Sequence, residues 1–177
     1  MEAIIFIVRA LLDVLLVTVF LLRVLLPLVR ADPRNQLSQA VIRGTNPVVL
    51  PLRRVLPPIG RIDTASVVAL LLAQAVATGV LMLLGAFPWL STPGQFAALA
   101  LRSLADTVLL FYTFIVFLYV LLSWVAPGTY SPAAALLYSL CEPLLRPFRR
   151  LIPPLGGIDL SALFVLIGLQ ALRIAIA

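Results

Sequence analysis

Two carboxylates stand inside otherwise apolar stretches, and each has an arginine four residues before it: Arg9 before Asp13, and Arg102 before Asp106. A carboxylate within a membrane helix is a proton or cation site unless something neutralises it. At a spacing of four the arginine lies one turn away on the same face, where a local ion pair satisfies both groups. The local pair is the favoured reading; proton or cation binding is the alternative. Two glutamines, Gln74 and Gln170, are also embedded in apolar runs. If their helices face each other, the amides bond reciprocally at mid-membrane, contributing about 0.6–2 kcal/mol. Otherwise they line a polar path for ions.

Missing residue types narrow the chemistry. There is no histidine, the commonest metal ligand and general base. Cys141 is the single cysteine, so no intramolecular disulfide forms. Four-cysteine zinc sites and Ser-His-Asp catalysis are thereby excluded. No metal, cofactor or enzymatic activity is expected. Tyr112, Tyr119 and Trp124 read as packing and interface residues.

The remaining reactive groups are arginines; lysine is absent, and the net charge is +6. They concentrate in a segment that occurs twice. Asn46 to Asp63 returns as Glu142 to Asp159, 96 residues on and without a gap. Pro47, Pro51, Arg53, Arg54, Pro57, Pro58, Gly60, Ile62 and Asp63 meet Pro143, Pro147, Arg149, Arg150, Pro153, Pro154, Gly156, Ile158 and Asp159. The agreement runs on to Gln74 and Gln170, so the chain is read as an internal duplication. Within each copy, apolar residues are spaced for one side of a helix and the arginine pair projects from the other. That is the pattern of an arm lying in the headgroup plane, or of a shallow re-entrant segment. Asn46-Pro47 reads as N-cap plus first-turn proline, after a short helix capped by Asn35. Ser131-Pro132 likewise opens a short helix through Leu140. Asp63 and Asp159 are placed to cap the helices that follow.

The elements that must hold these groups are membrane spans. The chain is 63% hydrophobic and 11% charged, with mean hydropathy +1.15. A span needs about 20 apolar residues. Four stretches qualify: 10–29, 64–87, 104–125 and, barely, 160–177. The N-terminal run is too long for the apolar region of a cleaved signal. The fold class is therefore all-α membrane, with four transmembrane helices in two repeats. The first covers 1–87 with its arm at 35–60; the second covers 104–177 with its arm at 131–156; the loop 88–103 joins them. Ala69, Ala73 and Ala77 form a small-residue stripe that lets another helix approach closely. Arg23 is expected to snorkel toward an interface. Arginines crowd the connections holding the arms, which sets both arms in the cytoplasm and both termini outside. The halves then enter in the same sense, as parallel repeats.

Anionic headgroups are the natural partner of the Arg53-Arg54 and Arg149-Arg150 pairs, at about 1 kcal/mol per arginine. The same charges also act as topology determinants without a ligand. A protein docking on the proline-stiffened arms is a further reading. Direct nucleic-acid binding is not expected, since the arginines border apolar runs.

At the arms the sequence resembles the YggT family, also called YlmG, of small bacterial and plastid membrane proteins built of two such halves. Asn46-Pro47 through Asp63, Glu142-Pro143 through Ser161, and Leu21 to Arg23 carry the resemblance. Gly157 and Asp159 keep the family's Gly-Gly-Ile-Asp pattern, whereas Arg61 replaces the second glycine in the first copy. The resemblance implies residence in the bacterial inner membrane. It also implies association with osmotic tolerance and ion balance, with cell division or nucleoid organisation, and in plastids with cytochrome assembly. No enzymatic activity is established for the family. The expectation is a non-enzymatic membrane scaffold or assembly factor working through its arms. The alternative is a small ion-conducting or osmotic-response protein, with Asp13, Asp106, Gln74 and Gln170 along its path; four spans enclose little lumen, so conduction implies a homo-oligomer.

Overall fold

In a computed structural model of the chain, residues 2–60, 62–125, 131–151 and 160–176 are described. Among them the architecture is all-helical. Helix α1 is Glu2–Leu28, α2 Gln36–Val55, α3 Thr64–Leu83, α4 Pro93–Val125, α5 Pro132–Leu151 and α6 Leu160–Ile176. Three of these, α1, α3 and α4, are long and apolar enough to cross a membrane. Helix α6 is apolar, but its 17 residues reach only about 26 Å at 1.5 Å per residue.

The chain divides into two compact units. One comprises residues 1–27 and 41–108, the other 28–40 and 109–177. In the first, α1 packs on α3, and the reason lies in α3's small residues. Ala65, Ala69, Ala73 and Ala77 are buried in a row four apart, opposite the wide turn of α1 where Val17 is fully buried. Close backbone approach replaces the hydrophobic driving force that lipid does not provide. In the second unit α5 packs on α6. There the buried row is Ser161, Ala162, Val165 and Leu169; Gly168, Ala171 and Ala175 are exposed.

Helix α1 contains one π-helical segment, Leu12–Val17. Thr18 closes it, since both its N–H and its hydroxyl donate to the Asp13 carbonyl, the latter at 2.7 Å. Arg30, at φ 54°, then takes the left-handed conformation beyond the helix end, and Asp32-Pro33 turns the chain as read. Asn35 caps α2 through its Oδ1, which accepts from Leu37 N at 2.9 Å.

The arms differ from the expected pair of short helices. Asn46 is no N-cap: α2 runs unbroken through Pro47 and Pro51, and α5 runs unbroken past Leu140 through Pro143 and Pro147. An interior proline removes one ladder bond and crowds the carbonyl four residues back. Here each pair of prolines is spaced by four on an exposed face, so the freed carbonyls lie toward the outside. The Thr45 hydroxyl, which donates to Val41 O at 2.7 Å, loads a further carbonyl in that turn. Ser131 does cap α5, its Oγ accepting from Ala134 N at 3.1 Å. The element starts recur at the duplication's spacing: Gln36 and Pro132, and Thr64 and Leu160, are each 96 residues apart.

Turns close the first unit. Pro57-Pro58 ends α2. Ile59 and Ile62 exchange two 3.1 Å bonds around Gly60, at φ 61°. Helix α3 ends in a Schellman motif: Gly85, at φ 75°, donates to Met82 O while Ala86 donates to Leu81 O. Residues 93–103, placed by sequence in the loop 88–103, are helical. The cause is a capping box, Thr92-Pro93-Gly94-Gln95. Thr92 Oγ1 accepts from Gln95 N at 3.3 Å, and Gln95 Oε1 accepts in return from Thr92 N at 3.2 Å. Pro93 occupies the first helical position, where its missing N–H costs nothing. Thr92→Ala is expected to cost about 1 kcal/mol. In hydrogen exchange it should raise the rates of 94–98 while leaving those of 104–125 unchanged.

Candidate functional site

Three charged clusters survive the withdrawal from water. The first joins α1 and α4. Arg9 Nε lies 3.6 Å from Asp13 Oδ2, and Arg9 Nη2 lies 3.9 Å from Asp106 Oδ2. The Arg9–Asp13 pair thus forms as read. Asp106 also reaches across to Arg9, so the two carboxylates meet at one guanidinium. Asp13 stands 11 residues into α1 and Asp106 13 residues into α4. At 1.5 Å per residue both lie roughly 16–20 Å from their helix starts. The π-helical turn begins beside Asp13, and such turns recur at functional sites.

The second cluster sits where α2 returns to α3. Arg53 grips Asp63 with two bonds, Nη2 to Oδ2 at 2.5 Å and Nε to Oδ1 at 3.3 Å. The Ser66 hydroxyl donates to Asp63 Oδ2 at 2.6 Å. Asp63 occupies the N-cap position of α3. Its carboxylate is held by Arg53 and by Ser66 of the first helical turn, the charged fork supplying the stronger bonds. Partial burial opposes the charge on Asp63, but the bonds from Arg53 and Ser66 outweigh it and hold the carboxyl below its usual range. Arg53 is correspondingly raised by the same bond. Asp159, read as the second cap, lies outside the described residues.

Arg23 belongs with this cluster and does not snorkel. It is 6% exposed, and its Nη1 is buried without a hydrogen-bond partner. Arg53 and Asp63 are within electrostatic reach of it. A buried donor left unmade costs on the order of 1–3 kcal/mol, more for a charged group.

The third cluster ties α5 to α4 in the second unit. Arg149 Nη1 donates to Glu142 Oε2 at 2.9 Å, and Nη2 to the Tyr119 hydroxyl at 2.9 Å. The guanidinium also lies 5.8 Å from the Tyr119 ring centroid. Beside it, Cys141 is fully buried against Ile115 O, and burial pushes its thiol up to about 12.

The paired arginines therefore divide. Arg53 and Arg149 are engaged in the fold, while Arg54 and Arg150 are exposed, as are Pro51 and Pro147. Gln74 and Gln170 also differ. Gln74 is buried and donates to Thr78 Oγ1 at 3.3 Å, its Oε1 unpartnered; Gln170 is exposed. The residues that sequence reading missed are Arg23, Tyr119, Ser66 and Glu142. A signal existed for the first two. The gapless match extends back from the arm to Leu22 and Leu118, through Val24-Leu25-Leu26 and Val120-Leu121-Leu122, which puts Arg23 opposite Tyr119.

The sign of the Asp63 shift fixes a pH dependence. A carboxylate lowered in the folded state contributes stability that is present above its unfolded value, near 3.9, and is lost as pH falls through the folded value. Asp63→Asn should cost about 1 kcal/mol at pH 7 and flatten the fall in thermal stability below pH 4. Cys141 should resist maleimide at pH 7.5 in the folded protein and label fully once the chain is unfolded in dodecyl sulfate.

Comparison with known proteins places this geometry among relatives. The family model described as CCB3/YggT matches residues 1–84 and 98–177. An uncharacterized Pseudomonas aeruginosa protein is 42% identical over 155 residues, 86% of this chain and 77% of the relative. An uncharacterized Vibrio alginolyticus protein from the proC 3′ region is 38% identical over 172 residues, 96% of this chain and 91% of the relative. The uncharacterized protein YggT of Escherichia coli K12 is 34% identical over 160 residues, 90% and 81% respectively. No solved structure matches the chain.

Proposed function

The chain belongs to the CCB3/YggT family, and from that premise we propose that it is a non-enzymatic scaffold or assembly factor of the bacterial inner membrane. It works through two arms at the cytoplasmic interface. In this reading α6 is a fourth span, and the halves are parallel repeats with both termini outside. The observation that carries it is the likeness of α2 and α5. Each has 20 residues, prolines at its twelfth and sixteenth positions and an arginine pair in its last turn. Each buries the same side: Thr45 and Val49 in one, Cys141 and Leu145 in the other, all at 0% exposure. On the outer side Val48, Leu50 and Val55 are exposed beside Arg54. Apolar side chains and an arginine on one exposed surface suit the boundary between acyl chains and headgroups. Anionic lipid and a cytoplasmic protein are the partners in this reading. The process served is one that the family resemblance implies: division, nucleoid organisation or cytochrome assembly.

Arg54 and Arg150 test this, because Arg53 and Arg149 also hold the fold. Arg54→Glu with Arg150→Glu should weaken crosslinking to anionic lipid and to the arms' protein partner in native membranes by tenfold or more, at about 1 kcal/mol per arginine. Unchanged crosslinking, or thiol labelling that places position 54 outside the cell, would refute the arms as recognition surfaces.

A second reading, an ion-conducting or osmotic-response oligomer, is favoured by one observation: Asp13 and Asp106 share a single arginine inside helices long enough to span. Carboxylates set inside apolar helices are the pattern of a proton or cation site. Asp13→Asn with Asp106→Asn should abolish any proton or potassium flux in proteoliposomes while the fold is retained. Absence of flux in the wild-type protein removes this reading.

A further inference from the structure

We propose that Arg23 and Arg53 form a phosphate-binding site at the junction of α1, α2 and α3, taking the phosphate of a lipid headgroup or a free phosphate ion. The proposal rests on the reading of α2 as interfacial, and deepens it by naming the group that is held.

The geometry begins with Arg23, 6% exposed with Nη1 unpartnered. The one carboxylate near it is Asp63 among the described residues, and Asp63 is filled: Oδ1 takes Arg53 Nε, and Oδ2 takes Arg53 Nη2 and Ser66 Oγ. Two guanidinium groups thus stand beside one occupied carboxylate. In a low-dielectric setting the surplus positive charge needs an anion with several acceptor oxygens. Phosphate is that anion, and the planar guanidinium matches it in paired bonds.

The second copy shows what a self-sufficient version of the same corner looks like. There Tyr119 replaces Arg23 and accepts from Arg149, while Glu142 replaces Asn46 and accepts from the other arm of that guanidinium. Across four equivalent positions the first copy carries Arg23, Asn46, Arg53 and Asp63; the second carries Tyr119, Glu142, Arg149 and Asp159. One set is a charge positive, the other a charge negative. Both exchanges, Tyr for Arg and Glu for Asn, run in the direction that makes room for an anion in the first copy only.

Depth and access agree. Arg23 is five residues from the end of α1, about 7.5 Å along the axis, within an arginine's reach of headgroup phosphates. Arg53 is the open side of the cluster: its side chain is 43% exposed against 8% for Asp63. The anion enters past Arg53 and completes Arg23.

The test uses the purified full-length chain. Bound lipid is read by native mass spectrometry after delipidation, and thermal stability is read in nanodiscs of phosphatidylcholine with or without phosphatidylglycerol. A third arm adds inorganic phosphate in detergent. The wild type should retain one phosphatidylglycerol and gain several degrees in nanodiscs containing it. Arg23→Gln should lower retention at least tenfold and erase the gain; Arg34→Gln, exposed and outside both arms, should retain lipid within twofold of wild type. Should Arg23→Gln fail to fold, Arg23→Lys, which keeps the charge but loses the fork, should fold and retain less lipid than wild type. Stabilisation by inorganic phosphate that Arg23→Gln abolishes, without any preference for phosphatidylglycerol, supports the site and assigns it to a soluble phosphate. Retention and stabilisation unaffected in both Arg23 variants overturn the proposal, as does an Arg23→Gln protein more stable in every medium with its lipid unchanged. Failure of the Arg54 and Arg150 reversals alone refutes the arms and leaves this site standing.

Discussion

An arginine among apolar helices must find acceptors, and within each unit helices are tied together where an arginine meets that demand. Arg9 takes two carboxylates, which fastens α1 to α4. Arg53 takes Asp63, which folds the end of α2 back onto the start of α3. Arg149 takes Glu142 and Tyr119, which ties α5 to α4. The bonds from Arg9 to Asp106, Arg53 to Asp63 and Arg149 to Tyr119 join segments that apolar packing alone would leave free to slide, because lipid tails are as apolar as the residues they surround. Hydrophobicity puts the helices in the membrane, and the arginines then settle which helix meets which.

The arms show the converse constraint, on backbone rather than side chain. Two prolines inside a 20-residue helix delete two ladder bonds. The helix tolerates this because both losses fall on one exposed face, while the opposite face is anchored by fully buried residues, Val49 in one arm and Leu145 in the other. Each of these helices is thus anchored on one side and carries its prolines on the other.

Much of this was legible in the sequence. Apolar runs and the alanine stripe marked the spans and the face of α3 that packs. The caps at Asn35 and Ser131 were legible, as was the pair of Arg9 with Asp13. Prolines misled, since Asn46-Pro47 has the signature of a helix start and only tertiary anchoring keeps the helix going. The start of α4 was overlooked although Thr92-Pro93-Gly94-Gln95 spells a capping box. The partners of Asp106 and Arg149 depend on which helices lie side by side, and spacing along one chain carries no such information. Arg23 is the sharpest case: hydropathy treats an arginine near a helix end as an outward-reaching residue, and only the folded chain reveals that it is enclosed.

Helix α4 has 33 residues, about 50 Å of rigid rod for a hydrocarbon slab near 30 Å. Such a rod has length to spare. It must lean or protrude, and the balance between the two shifts with the thickness of the slab. A slab stretched thin by swelling would therefore alter how far α4 leans or protrudes.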